Sequence, residues 1–506
     1  MGIIKRQGIK QSIVRYVGIA IGLVSTLFIY PLALEAVGLL RFIQNTAQLF
    51  YPLAIFGMHV VAVRFFPRFR DEETGHRGFL SLLGLITGLG FLIFLGVFFL
   101  FRSTLLGFFS DQPPEYLIYF NYIPALVALM LYSILITNYT SNFHRIVVPA
   151  LFNELVIKIG LPALVLFFYL GMLPIGGLIN GMLLAYALVL VLLLGYLYYL
   201  GQLRFTWHPQ FLRTGILKEL FGFSLYSVLG SWGYILANRL DVFMLGILLT
   251  GSSTFSGVAV YSINFFISEV IDAPRKALFN ITGPIVADAW SRNDLDHIRE
   301  LYQKSSLNQL LIGLLFFVGI WASLDDLFTL MPNGNEVAAG RWVVFFLGIG
   351  KIVDMAAGIN GLIITQSRYF RFNFYAILLL AVTNVFTNLL LIPLYGLSGA
   401  ALATLISVVL FNLIKLLYLY FKLGLWPWTW TTLWILLTGL LAYGVGWSLP
   451  DLGSSTLMTL STILLRSLLI LGVYMGITIL AKHSPDVNEL LYKGWETVRK
   501  FLGRKS

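Results

Sequence analysis

Hydrophobic residues in this chain come in blocks of about twenty or more, parted by short polar breaks, along nearly the whole sequence. A helix needs about 20 apolar residues to cross the hydrocarbon of a bilayer. Segments of that kind fall at 12–34, 38–66, 79–101, 115–141, 147–170, 173–200, 216–249, 255–276, 303–324, 339–365, 372–393, 396–421, 427–448 and 456–481. The pattern predicts an all-α polytopic membrane protein with fourteen transmembrane helices. The longest breaks on one side hold only "SDQPPE" and "DDLFTLMPNGNEVAAGR", too little for a folded domain. After the eighth segment, "DAWSRNDLDHIRELYQKSS" sets Trp290, Leu295, Ile298, Leu301 and Tyr302 at roughly helical spacing among mixed charges. That spacing predicts an amphipathic helix lying along the inner membrane face.

Charge orients the chain. With the N-terminus inside, 27 of the 34 Lys and Arg residues fall on inner segments. Arg41, Arg102 and Arg341 fall outside or near outer ends, and Lys158, Arg239, Lys351 and Arg466 are embedded. Lys and Arg accumulate in cytoplasmic loops, so both termini are expected to be cytoplasmic in a multi-pass protein of the cytoplasmic membrane. The first apolar run is expected to stay as a signal anchor, because many similar spans follow it. The net charge of +11 then reads as basic loops facing an anionic leaflet, not as a nucleic-acid surface. Composition agrees: 58% of residues are hydrophobic and 11% charged, where a soluble domain carries about 25% charge.

Candidate chemistry is sparse. With no cysteine, disulfides and thiolate metal sites are excluded. The sequence holds no GxxxxGK phosphate loop, no HExxH and no acidic metal cluster. An ATP-driven pump and an enzyme are therefore not expected, nor is a cofactor.

The embedded charges are the remaining signal, since a charge at mid-bilayer costs at least about 2.5–3.5 kcal/mol. Glu154 and Lys158, Asp272 and Lys276, and Lys351 and Asp354 are spaced to pair along their own helices. Arg239 and Asp241 are not: two residues on a helix point about 200° apart. Glu269 and Arg466 have no opposite charge three or four positions away, and Arg41 has only Glu35 close by. Such charges need a hydrated cavity or partners on distant spans. Arg239 is expected to meet an anionic ligand, with Arg41, Arg466 and Lys351 as weaker candidates. Asp241, Glu269 and Asp354 are candidates for ion coupling.

One stretch is more specific. "NLLLIPLYGLSGAALATLIS" (388–407) reads as a helix ending at Pro393, a turn around Gly396 and a new helix opening at Ser398. Its small residues Gly399, Ala400, Ala401 and Ala403 allow two helices to approach closely. This resembles the span 11–12 hairpin of polysaccharide flippases of the multidrug/oligosaccharidyl-lipid/polysaccharide exporter superfamily. "LFIYPLALEAVGLLRFI" (27–43), "FGMHVVAVRFFPRF" (56–69), "DVFMLGILLTGSSTFSGVAVYSI" (241–263) and "INGLIITQSRYFRFNF" (359–374) resemble other parts of the same family. Spans 1–2 and 7–8 also look like a faint internal repeat, as in duplicated transporters.

The resemblance implies two six-helix lobes, 1–201 and 202–425, around a central cavity, with 426–506 carrying two appended helices and a tail. It implies a flippase for a polyprenyl-diphosphate-linked oligosaccharide, serving surface polysaccharide or lipopolysaccharide biosynthesis, with membrane lipid around it and a proton or sodium ion as the coupling partner. Cavity arginines suit a diphosphate, because the guanidinium presents paired donors to phosphate oxygens. A cation-coupled multidrug exporter of the same superfamily is the nearest alternative, and it would favour carboxylates. A membrane glycan polymerase or ligase would need a sizeable outer loop, and a non-transporting scramblase or scaffold would differ only in turnover.

Overall fold

The computed structural model describes residues 2–108, 117–208, 215–249, 254–453 and 455–482. The loop "SDQPPE" and most of the C-terminal tail lie outside these residues, as does the Lys276 side chain. Every regular element among the described residues is helical. The longer helices are α1 (Gly2–Val24), α2 (Leu34–Ala54), α3 (Met58–Arg64), α4 (Phe79–Gly107), α5 (Tyr122–Ser141), α6 (Ile157–Tyr169), α7 (Ile175–Tyr199) and α8 (Ile216–Leu248). They continue with α9 (Thr254–Ser291), α10 (Leu295–Ala322), α11 (Leu324–Leu330), α12 (Arg341–Ala356), α13 (Asn360–Gln366), α14 (Phe370–Leu423), α15 (Trp430–Trp447) and α16 (Thr456–Leu480).

Ten of the described helical stretches are long and apolar enough to cross a membrane, or eleven if the bent pair Gly334–Ala356 and Asn360–Gln366 forms one span. This is a multi-pass membrane protein. Two stretches exceed what one crossing needs: Tyr16–Ala54 has 39 residues and Phe370–Leu423 has 54. Each is broken inside. Ala33 leaves helical geometry at φ −142° and ψ 62°, and Gly396 at φ 56° and ψ −127°. The second break is the turn expected at Gly396. The two halves of α14 close on each other so tightly that a Cβ on Gly399 would lie 2.1 Å from the Leu391 carbonyl oxygen.

The described chain divides into two compact units, with the boundary between Ile263 and Asn264. In the first unit α2 packs on α5 and α8, and α7 on α5 and α6. The α2–α8 seam is close: Trp232 Nε1 donates to the Leu49 carbonyl at 3.1 Å, and Phe42 stacks on Phe243. A Cβ on Gly246 would fall 2.4 Å from the Phe42 ring, and one on Gly38 only 1.6 Å from the Phe255 carbonyl oxygen. In the second unit α12 packs on α14 and α10, and α10 carries α15 and α16. Ile271, Leu311, Phe317, Met355, Ile435 and Tyr474 share one buried core, and Tyr474 donates its hydroxyl to the Leu311 carbonyl at 2.9 Å.

The amphipathic helix expected near 290–302 takes a different form. Residues up to Ser291 continue α9, and α10 starts at Leu295 behind an Asp294 cap whose side chain accepts from the His297 N–H. Trp290, Ile298 and Tyr302 pack with Ile359, Ile363 and Leu416, and Trp290 Nε1 donates to the Ile363 carbonyl at 3.0 Å. Trp290, Ile298, Leu301 and Tyr302 of the apolar stripe therefore face protein, and Leu295 is exposed. The charges beside it pair along the helices, Asp288 with Arg292, Asp296 with Arg299, and Glu300 with Lys304.

Candidate functional site

In the first unit, Arg41, Gln44 and Asn45 stand at i, i+3 and i+4 on α2 and so share a face. The Arg41 guanidinium donates to Gln44 Oε1 at 2.8 Å and lies over the Tyr30 ring, 4.7 Å from its centre. Gln44 Nε2 in turn donates to the Tyr186 hydroxyl of α7 at 2.6 Å. Asn45 Nδ2 donates to the Arg41 carbonyl at 2.8 Å, and its Oδ1 accepts from Arg239 of α8 at 3.3 Å. Tyr186 feels the fields of both Arg41 and Arg239, and Tyr51 that of Arg239. Gln44, Asn45, Tyr30 and Tyr186 are buried. The structure therefore brings Arg41 and Arg239 into one polar cluster, on three helices and the turn at Tyr30. No carboxylate pairs with Arg41 among the described residues.

Asp241 points elsewhere, as the angular separation demands. It is 3% exposed and accepts from the Tyr261 hydroxyl of α9 at 2.7 Å. Glu154 and Lys158 pair along their own helix, as their spacing predicts.

The second unit gathers a larger set of charges. Glu269, Asp272 and Arg275 rise along one face of α9. Lys351 of α12 pairs with Glu269 rather than with Asp354, its neighbour one turn on. Arg275 pairs with Asp272 and reaches Asp354 of α12 at 2.9 Å. Asp354 also accepts from Asn412 Nδ2 of α14 at 3.1 Å, and Asn412 Oδ1 accepts from Asn360 at 2.9 Å. Lys415, 5% exposed, lies over the Phe411 ring at 3.8 Å within the field of Asp354 and Arg275. The local pair expected between Lys351 and Asp354 gives way here to pairs between helices, Asp272 pairs along its own helix with Arg275, and the expected Asp272–Lys276 pair lies outside the described residues.

This network sits beside the 50° bend between α12 and α13, where Gly358 adopts φ 61°. The Ala356 carbonyl at the bend accepts from Ser306 Oγ at 2.6 Å and from Trp428 Nε1 at 2.9 Å. A broken span whose freed backbone is held by side chains is a recurrent feature of transporter binding regions.

Arg466 stands apart from both clusters. Its guanidinium pairs with Asp326 of α11 and with Asp451 at 2.8 Å, and donates to the carbonyls of Ala322 at 3.0 Å and Leu449 at 3.3 Å. It clamps the end of α10 to the turn before α16.

Outside the spans, the 70–78 turn is fixed from within and from the segment after α7. The backbone N–H and hydroxyl of Thr74 hold the Asp71 carboxyl below the usual carboxylate range. The buried His76 ring meets Gln202 Oε1 at 2.7 Å.

Sequence reasoning passed over Gln44, Asn45, Tyr186, Asn412 and Lys415. The available signal was two adjacent amides, Gln44 and Asn45, one turn from an arginine in an apolar run.

No family model matches the chain. A stretch of 190 residues, 38% of the chain, is 26% identical to the probable low-salt glycan biosynthesis flippase Agl15 of Haloferax volcanii, and it spans 39% of that protein's length. Among solved structures, the lipid II flippase MurJ in its inward closed conformation superposes with a TM-score of 0.65 at 14% identity, covering 92% of this chain and 98% of that one. A multidrug resistance MATE family transporter of the MOP superfamily, inward-facing, gives 0.58 at 18% identity over 82% of this chain and 94% of that one. All three are flippases or transporters rather than enzymes. The chain is thus a multi-pass membrane protein with the fold shared by the lipid II flippase MurJ and the MATE family transporter.

Proposed function

We propose that this protein flips a polyprenyl-diphosphate-linked oligosaccharide across the cytoplasmic membrane for surface polysaccharide or lipopolysaccharide biosynthesis, by alternating access coupled to a proton or sodium ion. One observation carries the reading: Arg41 and Arg239 share a buried polar cluster in which Arg41 is held by an amide and an aromatic ring, not by a carboxylate. A guanidinium kept in a membrane without an acid to neutralise it is best explained by an anionic ligand that visits, and phosphate oxygens match its paired donors. The similarity to a glycan flippase over 190 residues points to the same class of cargo. Both termini are cytoplasmic in this reading, and the lipid tail stays in the bilayer while the head group crosses.

Ion coupling is assigned to Glu269 and Asp354 of the second-unit network, with Asp241 as a further carboxylate. The test is glycan export in a deletion strain complemented with Arg41→Ala, Arg239→Ala and the double variant at matched membrane levels. Export should fall in each single variant and vanish in the double. Full export by the double variant overturns the reading.

A further inference from the structure

The Gln44 side chain is committed at both ends. Its Oε1 accepts from Arg41 at 2.8 Å and its Nε2 donates to Tyr186 at 2.6 Å. Only one orientation of the amide serves both contacts, because the flipped form would set an N–H against the guanidinium donors. Gln44 is 5% exposed and Tyr186 9%, so water does not readily replace either contact.

A glutamate at 44 would hold Arg41 more strongly. The shape is the same, the spacing is a favourable one-turn pair, and the hydrogen bond would be charge-assisted. It would also cancel the charge. The amide fixes the guanidinium while using part of its donor set and none of its charge. The Tyr186 hydroxyl, accepting from Gln44, keeps its own proton to donate, and it lies in the fields of Arg41 and Arg239.

We infer that Gln44 and Tyr186 set the charge selectivity of this cluster: Gln44 positions Arg41 without neutralising it, and Tyr186 locks the Gln44 amide in the orientation that does so. The inference rests on the proposed reading that the cluster takes a phosphate-bearing lipid head group. Both are positioning residues for Arg41, and the Tyr186 hydroxyl adds one neutral donor toward the same anion.

The test uses the full chain purified in detergent, with farnesyl diphosphate as a short polyprenyl diphosphate and farnesol as its neutral counterpart. Gln44→Glu should bind farnesyl diphosphate at least about tenfold more weakly than wild type and keep its affinity for farnesol, with thermal stability retained. A tenfold change corresponds to about 1.4 kcal/mol, a modest demand for one cancelled charge. Tyr186→Phe should lose a few-fold in diphosphate affinity and regain nothing when combined with Gln44→Glu. Unchanged diphosphate affinity in Gln44→Glu overturns the inference. Wild-type protein that fails to distinguish farnesyl diphosphate from farnesol overturns the reading beneath it. So does competition by phosphatidylglycerol at equal affinity, which would assign the site to a membrane phospholipid.

Discussion

Lys351→Met tests whether the Glu269–Lys351 pair is scaffold, coupling element or both. The Lys351 side chain is 17% and that of Glu269 26% exposed, so the pair is mostly shielded from water. Removing one partner of a buried pair costs about 3–5 kcal/mol, because the other charge stays behind unpaired. The residual exposure lets Glu269 recover some hydration, and we expect about 2–3 kcal/mol. Glu269→Gln in the Lys351→Met background removes the charge that has lost its Lys351 partner, and most of that loss should return. The assay is thermal unfolding of the purified variants, read beside ion-dependent glycan export. The double variant should be nearly as stable as wild type yet export without response to the ion gradient. Stability loss that persists in the double variant refutes the charge argument, since the damage would then be steric. A double variant that exports with wild-type ion dependence removes Glu269 from coupling.

Gly38→Ala should force α2 away from the segment around Phe255, since its Cβ would meet the Phe255 carbonyl at 1.6 Å; overpacking of this kind costs about 1–3 kcal/mol, read as a lowered melting temperature, and a variant as stable as wild type would refute the close approach of the two backbones. Arg466→Ala strands the mostly buried Asp326 carboxylate, while Asp451, 72% exposed, keeps its hydration, and should cost about 3 kcal/mol, with Arg466→Lys restoring only part because one ammonium cannot serve two acids and two carbonyls; full restoration by lysine would reduce the clamp to simple charge. Arg239→Lys should retain part of the export activity and Arg239→Ala less, measured by complementation at matched levels, and equal loss in both would remove charge from the argument. Reporter fusions at Gly201 and Ser506 should read cytoplasmic and one at Gly334 external, and an external reading at Ser506 would break the even span count.

The helices and the turn at Gly396 were legible because length, hydropathy and small residues are local properties. Pro393, Gly396 and Gly399 mark a break and a close approach within a dozen residues, and backbone geometry alone then dictates the hairpin. The stripe at Trp290, Ile298 and Tyr302 was legible as helix but not as to what covers it, because an apolar face fits lipid and protein equally well. Charge pairing was the least legible. Spacing of three or four sees only the same helix, so it offered Lys351 to Asp354 and left Glu269 alone, whereas α9 and α12 bring Lys351 to Glu269 and Arg275 to Asp354. Gln44 and Tyr186, 142 positions apart, carry no mutual signal in one sequence.

The two clusters keep charge in an apolar setting by different means, and the proposed function turns on the difference. The second unit assembles Glu269, Asp272 and Asp354 with Lys351, Arg275 and Lys415, Arg275 serving two of the acids. In the proposed reading, a coupling cation enters this network by displacing one of its own bases. Under that proposal the exchange would couple to α9, α12 and α14, which carry the network's groups. The cluster on α2 solves the problem with neutral groups: an amide, an asparagine and aromatic rings hold Arg41 and reach Arg239. Hydrogen bonds orient the Arg41 guanidinium without cancelling its field, so in the proposed reading a cost of burial remains for an anionic ligand to relieve. A ligand that relieves this cost gains affinity from it, and the gain disappears once a carboxylate occupies position 44. Charge balance, more than the presence of arginine, therefore separates a site poised to bind an anion from a site already satisfied, and Arg466, paired twice over, falls on the satisfied side.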